Sequence, residues 1–346
     1  MKLTSNSVRL FICCEKFSIL SFNRFLIISQ NTVSTVKSLN TLLNFTRLAS
    51  VYTNHKRMRF VQFRSLKGGP QRLGVQLALE GDIIDISAVD SSIPNNLVQF
   101  IEGGPTLLEK AKRIVQEGKS TNQLSEVELL APITQPDKVL CVGLNYKAHC
   151  DEHNKPYPVE PCIFNKFPST IIGQNGKVKH PLNTECLDWE VELAVVIGKK
   201  CRNVQSSDAL EYVFGYTIAQ DISARDWHTP EKNNGQWLLA KSMDTFCPLG
   251  PAVVFKEAFG APNDKNIKCS VNGSVKQNSN TNDLVHSVES LIQYISQLLT
   301  LLPGDVILTG TPSGVGFYCN PQQFLTPGDV IESEISRIGK LVNYVV

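Results

Sequence analysis

From residue 59 onward the chain alternates apolar and polar positions in short runs. That period of two predicts strands over 59–63 and 72–79, and Glu80, Gly81 and Asp82 then turn the chain into a third strand at 83–86. The period lengthens next. Residues 95–102 and 106–117 carry apolar side chains at helical spacing, the second through Leu107, Leu108, Ala111, Ile114 and Val115, and Gly118 stops it. A polar linker over 119–128 runs into the segment LLAPITQPDK, whose two prolines mark a boundary. Beyond it strands dominate: 139–142, 191–197, 214–220, 267–271, 306–309, 329–336 and 341–346. Asn272 and Gly273 form a two-residue turn between strand-like flanks. One long amphipathic helix is expected over 288–302, with Leu291, Ile292, Ile295, Leu298 and Leu299 on one face and Pro303 and Gly304 ending it. The pattern is that of a strand-rich α+β chain, with a small N-terminal α+β domain at 58–130 and a larger mixed domain at 131–346.

Composition adds a leader. Across 346 residues, 42% are hydrophobic and 19% charged, which excludes a disordered or coiled-coil protein. No run of eighteen apolar residues occurs, so a membrane-spanning helix is not expected. The net charge of +2 conceals an asymmetry. Residues 1–57 hold eight Lys or Arg against a single acid, Glu15, while the remainder holds 26 bases and 31 acids. The leader is basic, Ser/Thr-rich and acid-poor, the composition of a mitochondrial transit peptide. If translation starts instead at Met58, the chain is cytoplasmic. The mildly acidic body argues against a nucleic-acid partner. The ten cysteines include no C-x-x-C pair, which speaks against structural zinc and for reduced thiols.

Candidate chemistry gathers in four segments. In DWEVELAVVIGKK (188–200), Glu190 and Glu192 lie two apart on a strand and share a face, while Val191 and Leu193 point to the other. Their Cα atoms are about 6.6 Å apart, and two ionised carboxylates at that distance repel by about 2.5 kcal/mol at an effective dielectric near 20. A solvated strand face would screen this repulsion. Asp221, at the end of the apolar strand in YTIAQDISARDWH, could instead join them in an all-oxygen site suited to Mg2+, with Mn2+ or Ca2+ as alternatives. Asp226 reads as a local salt-bridge partner.

His149 and Glu152 in NYKAHCDEHN are neighbours if the segment makes a helical turn, either as a proton-moving pair or as a surface polar pair. Lys241 in QWLLAKS could neutralise an enolate or a substrate carboxylate, or simply be exposed. In ILTGTPSGVG the backbone N–H groups and the Thr311 hydroxyl could face an anion. That loop has neither the lysine of a nucleotide P-loop nor a G-x-S-x-G elbow.

The ordered blocks GLNYKAHCDE, DWEVELAVVIGKKCRNV, QDISARDW, QWLLAKSMDTFCPLGP, VNGSVKQNSNT and GDVILTGTPSGVG resemble the fumarylacetoacetate hydrolase superfamily over 58–346, most closely its domain-containing protein 2 subgroup. The resemblance implies a catalytic β-roll of mixed sheets, usually dimeric, preceded by a small N-terminal domain. It implies a metal triad of Glu190, Glu192 and Asp221, and a His149–Glu152 dyad on a lid. Lys241, Thr311 and, with them, Lys166 and Arg225 fall in matching blocks, as a catalytic and substrate-binding set. The implied activity is Mg2+-dependent chemistry on enolisable 2-oxo acids or β-dicarbonyls: oxaloacetate keto–enol tautomerisation first, cleavage of C–C bonds in acylpyruvates or fumarylacetoacetate-type substrates, or oxaloacetate decarboxylation, as alternatives. A catalytically silent binding protein on the same scaffold is disfavoured, because all three acids and His149 are present. Leu144 departs from the GRNY pattern of many acylpyruvate-cleaving relatives, where an arginine stands.

Overall fold

The computed structural model of the protein describes residues 57–118 and 121–346; the leader expected at 1–57 lies, except for Arg57, outside the described residues. Two sheets dominate a strand-rich α+β structure. The larger has twelve strands, and its path runs through Thr121–Asn122, Ile83–Asp85, Arg72–Gln76, Arg59–Ser65, Cys247–Phe255, Val213–Gln220, Val191–Ile197, Val306–Leu308, Val139–Gly143 and Cys162–Lys166. The N-terminal strands enter this sheet through an antiparallel pairing of Arg59 with Val254. The second sheet has five strands, in the order Ser274–Asn280, Asn266–Val271, Val330–Ile335, Gly339–Val345 and Lys177–Val178.

The Val191–Ile197 strand shows why the sequence folds this way. All seven of its residues are buried, so both faces are covered. Odd positions Val191, Leu193, Val195 and Ile197 pack into one apolar cluster, together with Ile267, Ile331 and Leu341 of the second sheet. Even positions Ala194 and Val196 pack into another, with Phe60, Phe100, Phe214 and Phe255. The exposed strand face considered for Glu190 and Glu192 is not found, since both side chains are buried.

Several boundaries moved for local reasons. Asn96 caps the Leu97–Glu102 helix, its side-chain oxygen accepting from Val98 N at 2.8 Å and Gln99 N at 3.2 Å. The next helix, Gly104–Glu117, ends as expected on Gly118 in the left-handed region. The Val288–Leu298 helix stops short of residue 302, because Leu299 turns extended and Leu301 bridges to Cys201. Asn272 and Gly273 both take positive φ, 49° and 76°, and close the hairpin between Asn266–Val271 and Ser274–Asn280. The nine-residue strand Cys247–Phe255 and the strand Cys162–Lys166 have no counterpart in the sequence pattern. The eight described cysteines are free thiols. Among the described residues no helix is long and apolar enough to cross a membrane.

Candidate functional site

Strand register brings the three carboxylates together. Val191 pairs antiparallel with Gln220, and the ladder runs one step further through Asp221 N donating to Glu190 O at 2.9 Å. Asp221 therefore stands opposite Glu190, and Glu192 follows two residues along the same face. One oxygen from each of the three lies within 4.8 Å of the others, and all three residues are buried.

Cations surround the cluster unevenly. Lys241 Nζ, in the short helix Trp237–Lys241, bridges Glu190 Oε2 at 2.8 Å and Asp221 Oδ2 at 2.7 Å. Lys166 Nζ pairs with Asp221 Oδ1 at 2.5 Å, and Arg225 Nη2 with Glu190 Oε1 at 2.6 Å. Burial pushes the Glu190 carboxyl up, but Lys241 and Arg225 overcome it and hold the group well below the usual carboxylate range. Glu192 fares differently. It has no ion pair among the described residues and accepts one backbone hydrogen bond, from Gly310 N at 2.6 Å. Burial, then Asp221 and Glu190, push its carboxyl well above the usual range. Gly310 sits at φ 101°, and a Cβ there would lie 2.8 Å from Asn145 Cβ, so the approach to Glu192 requires glycine.

A divalent cation fits this donor set. The ligand atoms are all carboxylate oxygens, hard and close together, and each keeps lone pairs beyond those used by the lysines and Arg225. Glu192, buried beside two other acids without a counter-charge, is the group that a cation would relieve.

The dyad residues meet on the Lys147–Glu152 helix. His149 Nδ1 lies 2.9 Å from Glu152 Oε2, and Glu152 Oε1 accepts from Gly314 N at 2.9 Å. Glu152 thus ties the helix to the loop after Val306–Leu308. Gly314 has φ 99°, and a Cβ would fall 2.1 Å from Lys276 O, so this tie also depends on a glycine.

A cavity of about 420 Å3 opens over these groups. His149, Glu190, Glu192, Arg225, Lys241 and Thr311 line it, whereas Asp221, Lys166 and Glu152 stand behind the wall. The Thr311 hydroxyl donates to Val191 O at 3.0 Å and accepts from Gln277 Nε2 at 2.7 Å, so it fastens the loop to the strand. Lys241 is not exposed. It sits on a helix, and its charge serves two carboxylates. Asp226 does pair locally, with Lys232 at 2.8 Å, while its neighbour Arg225 turns to Glu190 and Asp188.

Sequence reasoning missed Asp188. Fully buried, it accepts from Trp189 N at 2.9 Å, Gly316 N at 2.7 Å, Phe317 N at 3.0 Å and Arg225 Nε at 2.8 Å. It orients both Arg225 and the loop over the cavity. Gln220 and Gln277 were missed too, and they accept from Glu190 N at 2.9 Å and Val191 N at 3.0 Å. His153 and His228 also line the cavity, each with a buried Nε2 that has no hydrogen-bond partner. Burial, with His149 and Arg225 nearby, pushes His153 down to about 4; burial, with Lys241 and Arg225, pushes His228 down to about 3. No spacing signature marks any of these residues.

Comparison with known proteins agrees with the fold. The family described as fumarylacetoacetate (FAA) hydrolase C-terminal matches residues 138–346. A protein of Xenopus laevis named oxaloacetate tautomerase fahd2, mitochondrial, is 48% identical over 289 residues, 84% of this chain and 90% of that protein. A human protein named oxaloacetate tautomerase FAHD2B, mitochondrial, is 48% identical over 293 residues, 84% of this chain and 92% of that protein. Among solved structures, the fumarylacetoacetate hydrolase of Exiguobacterium antarcticum superposes with a TM-score of 0.72 at 35% identity, covering 83% of this chain and 99% of that one. By these matches over most of its length, this chain belongs to the fumarylacetoacetate hydrolase family and is an enzyme of that family.

Proposed function

We propose that the enzyme interconverts the enol and keto forms of oxaloacetate, or of a closely related 2-oxo acid, with Mg2+ held by Glu190, Glu192 and Asp221. The carrying observation is that one cavity is lined both by acids of an under-neutralised carboxylate cluster and by His149, which Glu152 holds from behind. When bound, the ion supplies Lewis-acid polarisation of the substrate oxygens. The protein does the rest. Glu152 accepts from Gly314 N at Oε1; with Oε2 accepting as well, His149 Nδ1 is the donor and Nε2 keeps a lone pair for the cavity. His149 takes the proton of the enol hydroxyl and returns a proton to the neighbouring carbon, so the sum of atoms and charge is unchanged. Phe164, Trp237 and Phe317 form apolar walls that limit water near this transfer. Leu144 brings no charge to the cavity, and Lys155 at its rim, exposed and without an ion pair among the described residues, supplies the cation for a second substrate carboxylate.

Relatives named mitochondrial and the basic leader together support a matrix location. Homodimer formation is the family's habit and is proposed on that ground.

The test is a panel of enolisable 2-oxo acids with and without chelator. Enol-oxaloacetate should ketonise faster than in buffer alone, and chelator should abolish the difference. Ketonisation at the buffer rate, with pyruvate released from acylpyruvates, would reject tautomerisation in favour of C–C hydrolysis.

A further inference from the structure

The segment His149-Cys-Asp-Glu-His153 places two histidines one helical turn apart with a glutamate between them on the same side. In the structure a ring nitrogen from each histidine and a Glu152 oxygen lie within 4.8 Å of one another. The two imidazoles stand edge to face with centroids 4.3 Å apart, and the Tyr318 ring covers His153 at 3.9 Å. His153 Nε2 is buried and has no hydrogen-bond partner, a cost that a ligand would remove. Neither the acid triad nor the dyad's proton transfer uses His153.

We infer that His149, Glu152 and His153 form a second cation site, for a nitrogen-seeking ion of the Zn2+ kind, distinct in chemistry from the all-oxygen triad. Imidazole nitrogens select Zn2+ over Mg2+, whereas carboxylate oxygens alone do not exclude Mg2+. Tetrahedral zinc holds its N and O ligands at roughly 2.0–2.2 Å, which puts ligand atoms roughly 3.4 Å apart. The His149–Glu152 contact of 2.9 Å is already that close and His153 lies within 4.8 Å of both, so His153 alone has to move inward, by at most roughly 1.4 Å. Water completes the fourth position. On binding, the proton shared by His149 and Glu152 leaves to solvent and the ion takes its place, with no change of oxidation state. A chain so loaded has no free base in the dyad. Zn2+ therefore inhibits without displacing an ion from the triad, a consequence that rests on the proposed role of His149, whereas the site itself does not.

Calorimetric titration of the full-length protein with Zn2+ in excess Mg2+ tests this, using wild type, His153→Gln and Asp221→Asn. Wild type should take up one Zn2+ per chain, His153→Gln should bind it at least about tenfold more weakly, and Asp221→Asn should keep wild-type affinity. Equal affinity in His153→Gln, or loss of the event in Asp221→Asn that retains its fold, would overturn the site. Should Asp221→Asn fail to fold, Co2+ decides on the other two proteins. Visible absorption of nitrogen-ligated tetrahedral Co2+ in wild type, missing in His153→Gln, supports the site, and its absence from wild type refutes it.

Discussion

One face of a single strand carries two opposite kinds of interior. Ala194 and Val196 look into an aromatic cluster, in which the Phe60 ring lies 5.2 Å from Phe100 and 5.1 Å from Phe214. Glu190 and Glu192, four and two residues before Ala194 on the same side, look into a cluster of four acids and three cations. The aromatic end stabilises the fold, since each fully buried large apolar side chain contributes roughly 1.5–3 kcal/mol. The charged end works against it, because each buried ion loses several kcal/mol of hydration that pairing only partly restores. A shared ladder lets the first region hold the second in place.

Paired substitutions should separate the two regions. His149→Ala is expected to lower turnover by about 10²–10⁴-fold with little change in Tm and with triad affinity for Mg2+ retained; a matching loss of metal binding would contradict the division of roles. Phe60→Ala should do the reverse, costing about 3–5 kcal/mol in denaturant unfolding while the folded fraction keeps its kcat. Asp188→Asn sits between them. It keeps an acceptor but removes the charge facing Arg225, so kcat/KM should fall by about tenfold with a modest drop in Tm. An unchanged kcat/KM would show that Arg225 and the loop are held by other contacts.

The smallest effect has the least obvious sign. Folded Glu192 holds its proton more tightly than the unfolded chain does, so its contribution declines as pH rises from the ordinary carboxylate range through its raised value. Glu190 has the opposite linkage: its contribution is present above the ordinary range and is lost only as pH falls through its depressed value. At neutral pH in chelator, Glu192→Gln should therefore raise Tm by a few degrees, and added Mg2+ should stabilise wild type more than the variant. A lower Tm in chelator would mean that Glu192 is already neutralised by the protein.

Much of this was legible along the chain. The alternation through 191–197, the Asn272–Gly273 turn and the Gly118 stop follow local rules, and each is found where those rules put it. The strand Cys247–Phe255 was not legible, because Pro248, Gly250 and Pro251 interrupt its apolar run; its ladder partners, not its own residues, make it a strand. Lys241 could equally have been exposed and proved to be a buried bridge. Asp188 gave no signal, because its four donors come from residues 189, 225, 316 and 317.

By itself the sequence determined which residues share a face, where turns and caps fall, and that acids, a histidine and a lysine of the right kinds occur in the right blocks. The first two follow from the fixed periods of strand and helix and from backbone limits at glycine and proline, and the third from the resemblance of the blocks to the family's. Only the tertiary structure decided that the acids are buried, that Glu192 has no ion pair among the described residues while its neighbours do, and that His153 packs against His149. Burial and charge balance are sums over parts of the chain far apart in sequence, and no local pattern encodes such a sum.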